Sequence, residues 1–219
     1  MNRTSTSKTK KYVLLALMCA IGYILTFVGR LPISTVGFLK YDPKDVIIVI
    51  GGFIYGPLSA ILMSVIVSFI EMITISDTNI IGCIMNIVST VSFAAVAATI
   101  YQKRRTMSGA VIALVTGMFA MTASMIVWNY FLTPIFYGMP RSEVVKMLVP
   151  IFLPFNIIKS GLNTAFTLIV YKPFVNAIRR SGLLEHGDEQ KSKANAYVII
   201  AALFLTAMCI GAIFILNHK

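Results

Sequence analysis

The sequence predicts an all-α polytopic membrane protein, and three observations carry that reading. Of 219 residues, 58% are hydrophobic and only 12% are charged, whereas soluble domains carry about 25% charged residues. The mean hydropathy is +0.85. The apolar residues also come in long runs parted by short polar breaks, several of them near the ~20 residues that cross a ~30 Å hydrocarbon core.

Residues 1–11 are polar and basic (Arg3, Lys8, Lys10, Lys11) and read as a cytoplasmic tail. No small-residue cleavage site follows the first apolar run, so it reads as a retained helix rather than a removed signal. That helix covers about 12–28 and is broken by Arg30, Pro32 and the stretch 34–37. The loop 31–45 is long and rich in special residues. The run 46–55 is apolar but short, and Gly51-Gly52 weakens it further. Ten residues rise only about 15 Å, so this helix must pack inside the bundle. Gly56-Pro57 makes a tight turn, with Pro57 placed to open the next helix, 58–75. The cluster 76–79 is a turn or cap. A fourth helix covers 80–101 and a fifth 108–132, where Thr133-Pro134 is expected to end it. A short amphipathic piece at 142–148 leads through Pro150 and Pro154 into a sixth helix, 151–178. A charged loop (181–196) follows, and the uncharged run 197–216 reads as a seventh span within a C-terminal segment, 197–219. The substrate-binding domain is expected to be the six helices within 12–180.

The net charge of +11 sits in loops and termini, where topology and anionic lipid account for it better than nucleic acid. With the N-terminus cytoplasmic, inner loops hold roughly twice as many Lys and Arg as outer ones, which is the orientation the positive-inside rule selects. Cys19, Cys83 and Cys209 all lie in apolar runs, match no redox or metal spacing, and read as packing residues. No metal cluster, catalytic triad, carboxylate pair, Walker A or dinucleotide fingerprint appears, so the chain is not expected to be an enzyme or to hold a cofactor.

The sharpest anomaly is Lys159, the one Lys or Arg well inside an apolar run. A lysine at membrane depth costs about 2.5–3.5 kcal/mol on insertion scales, so it must meet a cavity, a partner or water, or else snorkel to the surface. Asn156 and Asn163 flank it at i−3 and i+4 on the same helix face. Asn163 sits deeper and suits a bond to a neighbouring helix. In the outer loop, Tyr41 and Asp42 can wall a pocket, while Asp45 is placed to cap the following helix. Trp128-Asn129-Tyr130-Phe131 closes the fifth helix. It reads either as an interfacial aromatic belt or as rings sandwiching a flat ligand whose edge Asn129 reads. Glu71 and Asn86 more readily bond within the bundle. Ala16 and Ala20, at i and i+4, form a small-residue face that lets another helix approach closely.

Taken together, several stretches resemble the substrate-binding S component of energy-coupling factor (ECF) vitamin transporters, most closely the riboflavin-specific branch. They are Phe38-Leu39-Lys40-Tyr41-Asp42-Pro43-Lys44-Asp45 before an apolar Gly-Gly segment, Tyr55-Gly56-Pro57, Asn129-Tyr130, and Pro154-Phe155-Asn156-Ile157-Ile158-Lys159. The resemblance covers about 11–180. It implies a six-helix S-component core with an outward pocket, high-affinity riboflavin capture, and a loop that closes over the ligand. Leu39, Tyr41, Asp42, Asn129, Tyr130, Asn156 and Lys159 would bind the substrate. Ala16 and Ala20 would dock the transmembrane T component, through which a pair of ATPase subunits drives transport; riboflavin itself is cargo, not cofactor. The seventh helix departs from the six-helix pattern. An S component for thiamine or biotin, a stand-alone secondary transporter and, more remotely, a membrane-embedded enzyme are the competing readings.

Overall fold

The computed structural model describes residues 3–32, 39–181 and 196–217. Phe38 and nearly all of the 181–196 loop lie outside the described residues. Within them the chain is helical apart from turns and one two-residue strand pair. The helices are α1 (Arg3–Gly29), α2 (Lys44–Tyr55), α3 (Pro57–Thr74), α4 (Asn79–Lys103), α5 (Met107–Tyr137), α6 (Arg141–Met147), α7 (Leu153–Arg180) and α8 (Ala196–Asn217). Among the described residues, six helical segments are long and apolar enough to cross a membrane: α1, α3, α4, α5, the α6–α7 run and α8. With α2 they make a six-helix core plus α8, the architecture expected from the sequence.

The centre of the bundle is α2. It has 12 residues, about 18 Å of helix, and lies against α1, α3, α4 and α7. Every residue from Lys44 to Phe53 is buried. A helix can be buried all round only if its neighbours come close on every side, and the glycines allow this. A Cβ on Gly52 would lie 2.9 Å from Ala98 Cβ and 3.0 Å from Ala60 Cβ. Gly56 then turns the chain at φ 98°, a left-handed angle that favours glycine, and Pro57 opens α3 as expected. Around α2 pack Leu14, Met18, Met63, Val67, Phe93, Ala94 and Ala97 of α1, α3 and α4.

Three boundaries differ from the sequence reading. Helix α1 begins at Arg3, so the basic segment continues the first span as helix. Pro134 does not end α5; the helix runs to Tyr137 and stops at Gly138, φ 62°. Proline removes a single i−4 hydrogen bond, and here that loss falls in the last turn of a 31-residue helix. Pro150 likewise sits inside a π-helical segment, Leu148–Phe152, that joins α6 to α7 without a break.

Replacing Gly52 with Leu is expected to overpack the α2–α3–α4 junction and destabilise the bundle by about 1–3 kcal/mol. Thermal unfolding in detergent checks this: the midpoint should fall, and an unchanged midpoint would mean that the junction yields.

Candidate functional site

The site forms where the 31–45 loop meets α7. Residues Leu31–Pro32 (β1) and Lys40–Tyr41 (β2) pair antiparallel, with Leu31 opposite Tyr41 and Pro32 opposite Lys40. This clasp delivers Asp42 into the bundle just before α2 starts. The Asp42 side chain is 2% exposed and meets three cations: Arg30 Nε at 3.0 Å, Lys159 Nζ at 3.1 Å and Lys44 Nζ at 3.8 Å. Burial alone would raise the Asp42 carboxyl; Lys44, Lys159 and Arg30 outweigh it and hold the group below the usual carboxylate range.

Lys44 is the residue the sequence conceals. Sitting between Pro43 and Asp45 it reads as a loop charge, yet it is the first residue of α2 and fully buried. Its ammonium donates to Glu71 Oε2 at 2.7 Å, and Asn86 Nδ2 donates to the same oxygen at 3.3 Å. Glu71 and Asn86 therefore bond within the bundle, as expected. Asp45 does not cap α2. The residue before the helix is Pro43, without a side-chain cap, and Asp45 turns inward, accepting from Thr90 Oγ1 at 2.6 Å and from Asn163 Nδ2 at 3.0 Å. Its position one residue inside the helix aims the carboxylate at α4 and α7 instead of at the first-turn amides. The bond from Asn163 also gives that residue the structural role its depth implied.

Lys159 does not snorkel: it is 4% exposed and donates to Asp42. Beside it Asn156, 1% exposed, donates from Nδ2 to Phe152 O at 2.7 Å, while its Oδ1 has no partner among the described residues. Both line a cavity of about 50 Å³ together with Arg30, Leu39, Lys40, Asp42, Asn86, Ser89, Met125, Tyr137 and Phe155. The structure thus brings Leu39, Asp42, Asn156 and Lys159 together. It places the other three expected residues elsewhere. Tyr41 is buried outside the cavity, its ring 6.4 Å from that of Phe166. Burial pushes its phenol up, with Asp45, Asp42 and Cys209 adding to the effect. Asn129 spends both ends of its amide inside α5, donating to Met125 O at 2.7 Å and accepting from Thr133 Oγ1 at 2.9 Å. Tyr130 lies under the Arg141 guanidinium, 5.4 Å from the ring centroid. A wider groove, about 630 Å³, runs along Ala123, Ser124, Val127, Trp128, Phe131 and Leu132 of α5 alone. Its lining is nearly all apolar and comes from a single span, as a lipid-facing surface would be.

Arg30, Lys40 and Lys44 are missed by sequence reasoning because each stands in a polar stretch where charges are ordinary. Only the clasp shows that two of them approach α7. Lys40 also pairs with Asp77 at 2.6 Å and is partly exposed, tying the clasp to the α3–α4 turn.

The model of the ECF transporter substrate-specific component matches residues 10–171. The chain belongs to this family. It is a transporter subunit of multi-pass membrane type, not an enzyme. Among curated proteins it is similar to the riboflavin transporter RibU of Staphylococcus aureus (strain TCH60), 24% identical over 180 residues that cover 79% of this chain and 94% of that one. It is also similar to the riboflavin transporter FmnP of Bacillus subtilis (strain 168), 29% identical over 175 residues, covering 75% and 92%. A solved structure of the S component of a bacterial ECF transporter superposes with a TM-score of 0.68 at 25% identity, covering 79% of this chain and 99% of that chain.

The buried pair Lys44–Glu71 ties this S component together beneath the cavity. Removing one partner of such a pair leaves an uncompensated charge, so Glu71→Ala is expected to cost about 3–5 kcal/mol. Chemical unfolding in detergent measures it. A cost near that of an exposed pair, under about 1 kcal/mol, would mean that Asp42 alone satisfies Lys44.

Proposed function

We propose that this S component captures riboflavin with high affinity from the external side and delivers it across the membrane in an ATP-driven ECF transporter, docked to a T component and a pair of ATPase subunits. The observation that carries the reading is that Lys159 and Asn156, both buried, line one cavity beneath the β1–β2 clasp. An isoalloxazine edge offers carbonyl and ring-nitrogen acceptors and one imide N–H. An ammonium donates and an asparagine amide does both, and the free Asn156 Oδ1 suits the imide. The names of the two relatives point the same way.

The charge balance is a further argument. Arg30, Lys40, Lys44 and Lys159 stand with Asp42, Asp45, Glu71 and Asp77, four cations against four carboxylates. A site neutral before binding suits an uncharged ligand, because a net charge brought inside would stand uncompensated. Riboflavin is uncharged near neutral pH.

Ligand pockets for molecules of this size measure about 300–1,000 Å³, so the cavity of about 50 Å³ must widen before a flavin enters. The clasp is the part that moves: it carries Leu39 and Asp42, and withdrawing it frees Lys159. Tyr41, Asn129 and Tyr130 join the binding wall in that opened form, with the Asn129 amide turning away from its own helix. The N-terminus is cytoplasmic, and the segments 1–11, 12–180, 181–196 and 197–219 serve as tail, binding domain, inner loop and extra span. Ala16 and Ala20 are both exposed on one face of α1, where a T-component helix can approach.

Lys159→Ala is expected to weaken riboflavin binding more than about tenfold, since a hydrogen bond to a charged donor is worth about 1.5–3 kcal/mol, while the fold persists. Titration by quenching of flavin fluorescence checks this, and unchanged affinity would sink the assignment. A purified protein that stays colourless with added riboflavin would transfer the reading to another vitamin. The pair Ala16→Trp and Ala20→Trp should leave riboflavin binding intact and abolish uptake in cells. Loss of binding in that double variant would argue against a docking face.

A further inference from the structure

The helix α8 lies beyond the family match, which ends at residue 171, yet it packs behind the clasp. It packs along α7 and meets it at Gly161, where an added Cβ would come within 3.1 Å of Cys209 Sγ. Cys209 is 6% exposed and belongs to one apolar cluster with Leu39 and Tyr41 of the clasp, Val144 of α6, Phe152, and Phe155, Ile158 and Leu162 of α7. Leu205, Ala212 and Ile213 of α8 close the same cluster from outside. The residue that follows β2, Asp42, thus faces the charged cavity, while β2 anchors the other way, through Tyr41, in a cluster that α8 completes.

We propose that α8 is a positioning element of the gate: by seating Cys209 against Gly161 and backing the Tyr41 cluster, it holds the clasp closed over the cavity. The physical argument is one of packing. Tyr41 stays buried only while apolar atoms surround it, and withdrawing the clasp must pull that ring out. Every side chain that completes its socket adds to the cost of opening. The Leu205 to Ile213 face of α8 supplies that completion from a part of the chain with no counterpart in the 10–171 family match. A clasp held more firmly admits ligand more slowly, because the opened form is the one that binds.

The test reads clasp opening with and without ligand. Amide hydrogen exchange at Tyr41 and Asp42 is followed in the full-length protein in lipid nanodiscs. Three forms are compared: the unaltered protein, Gly161→Leu, and Gly161→Leu with Cys209→Gly. The leucine drives α8 off α7; the added glycine restores the space. Exchange at β2 should rise about tenfold in the single variant and return to within about twofold in the double, with the amides of α4 unaffected. In the same proteins riboflavin association should speed by a similar factor, again about tenfold, because the open fraction sets the binding-competent population, with dissociation changed far less. A general loss of packing would accelerate exchange in α4 as well and would not be rescued at Cys209. If Gly161→Leu unfolds the bundle, Leu205→Ala with Ile213→Ala loosens the same contact by removing atoms, and faster exchange at β2 is again expected. Unchanged β2 exchange in whichever variant folds, or acceleration that Cys209→Gly fails to reverse, overturns the proposal. The association arm rests on the riboflavin reading and the exchange arm does not. An unaltered protein that binds no riboflavin therefore refutes that reading alone.

Discussion

The structure depends on one carboxylate. Asp42 is held by Arg30 from the end of α1, by Lys44 from the start of α2 and by Lys159 from the second turn of α7. Remove it, and three cations in an apolar bundle lose their common counterion. Lys44 would keep Glu71, but Lys159 and Arg30 would stand uncompensated at a cost of several kcal/mol, whereas in the intact cluster every cation is paired. The same residue fixes the clasp, since β2 ends one position earlier at Tyr41. Asp42 is therefore both the charge that makes Lys159 tolerable at this depth and the bolt that shuts the cavity Lys159 lines.

Such a cluster needs a short, fully enclosed helix to organise it. A span crossing the bilayer would expose one side to lipid, where Lys44 and Asp45 could not remain. At 12 residues, α2 stays within the bundle, and its glycines let Ala60 and Ala98 come close enough to exclude lipid. Its first turn then presents Lys44 to Glu71 of α3 and Asp45 to Thr90 of α4 and Asn163 of α7. Local sequence, packing distance and ion pairing form one causal chain: without close packing there is no enclosed helix, and without that helix no place for the charges.

How far this was legible in the sequence follows from the same physics. Apolar run lengths marked every span, and the shortness of 46–55 correctly implied burial inside the bundle. Lys159 and Asn156 stood out because a polar group in a greasy helix is costly anywhere, so its presence signals a partner before the partner is known. Lys44 and Arg30 gave no such signal; a charge in a polar loop costs nothing until tertiary structure buries the loop. Asp45 misled for a related reason. Its place at a helix start fits a cap, and only the position of α4 and α7 shows that better partners lie inward. Pro134 misled in the opposite sense, since a strong local breaker loses to packing when it removes one hydrogen bond near a helix end.

The clasp also sets how ligand and closure are linked. Drawing Asp42 out of the cavity separates it from Lys159 and Lys44, and breaking a buried pair costs about 3–5 kcal/mol. At the lower figure the open form is populated on the order of one part in 10², and apparent affinity falls by that fraction. A ligand whose acceptors replace Asp42 on Lys159 returns part of the cost, while Lys44 keeps Glu71 as its partner in either form. The double pairing of Lys44 is thus what makes opening affordable at all: one cation changes partner, the other does not, and the base of the cavity stays rigid while its roof moves.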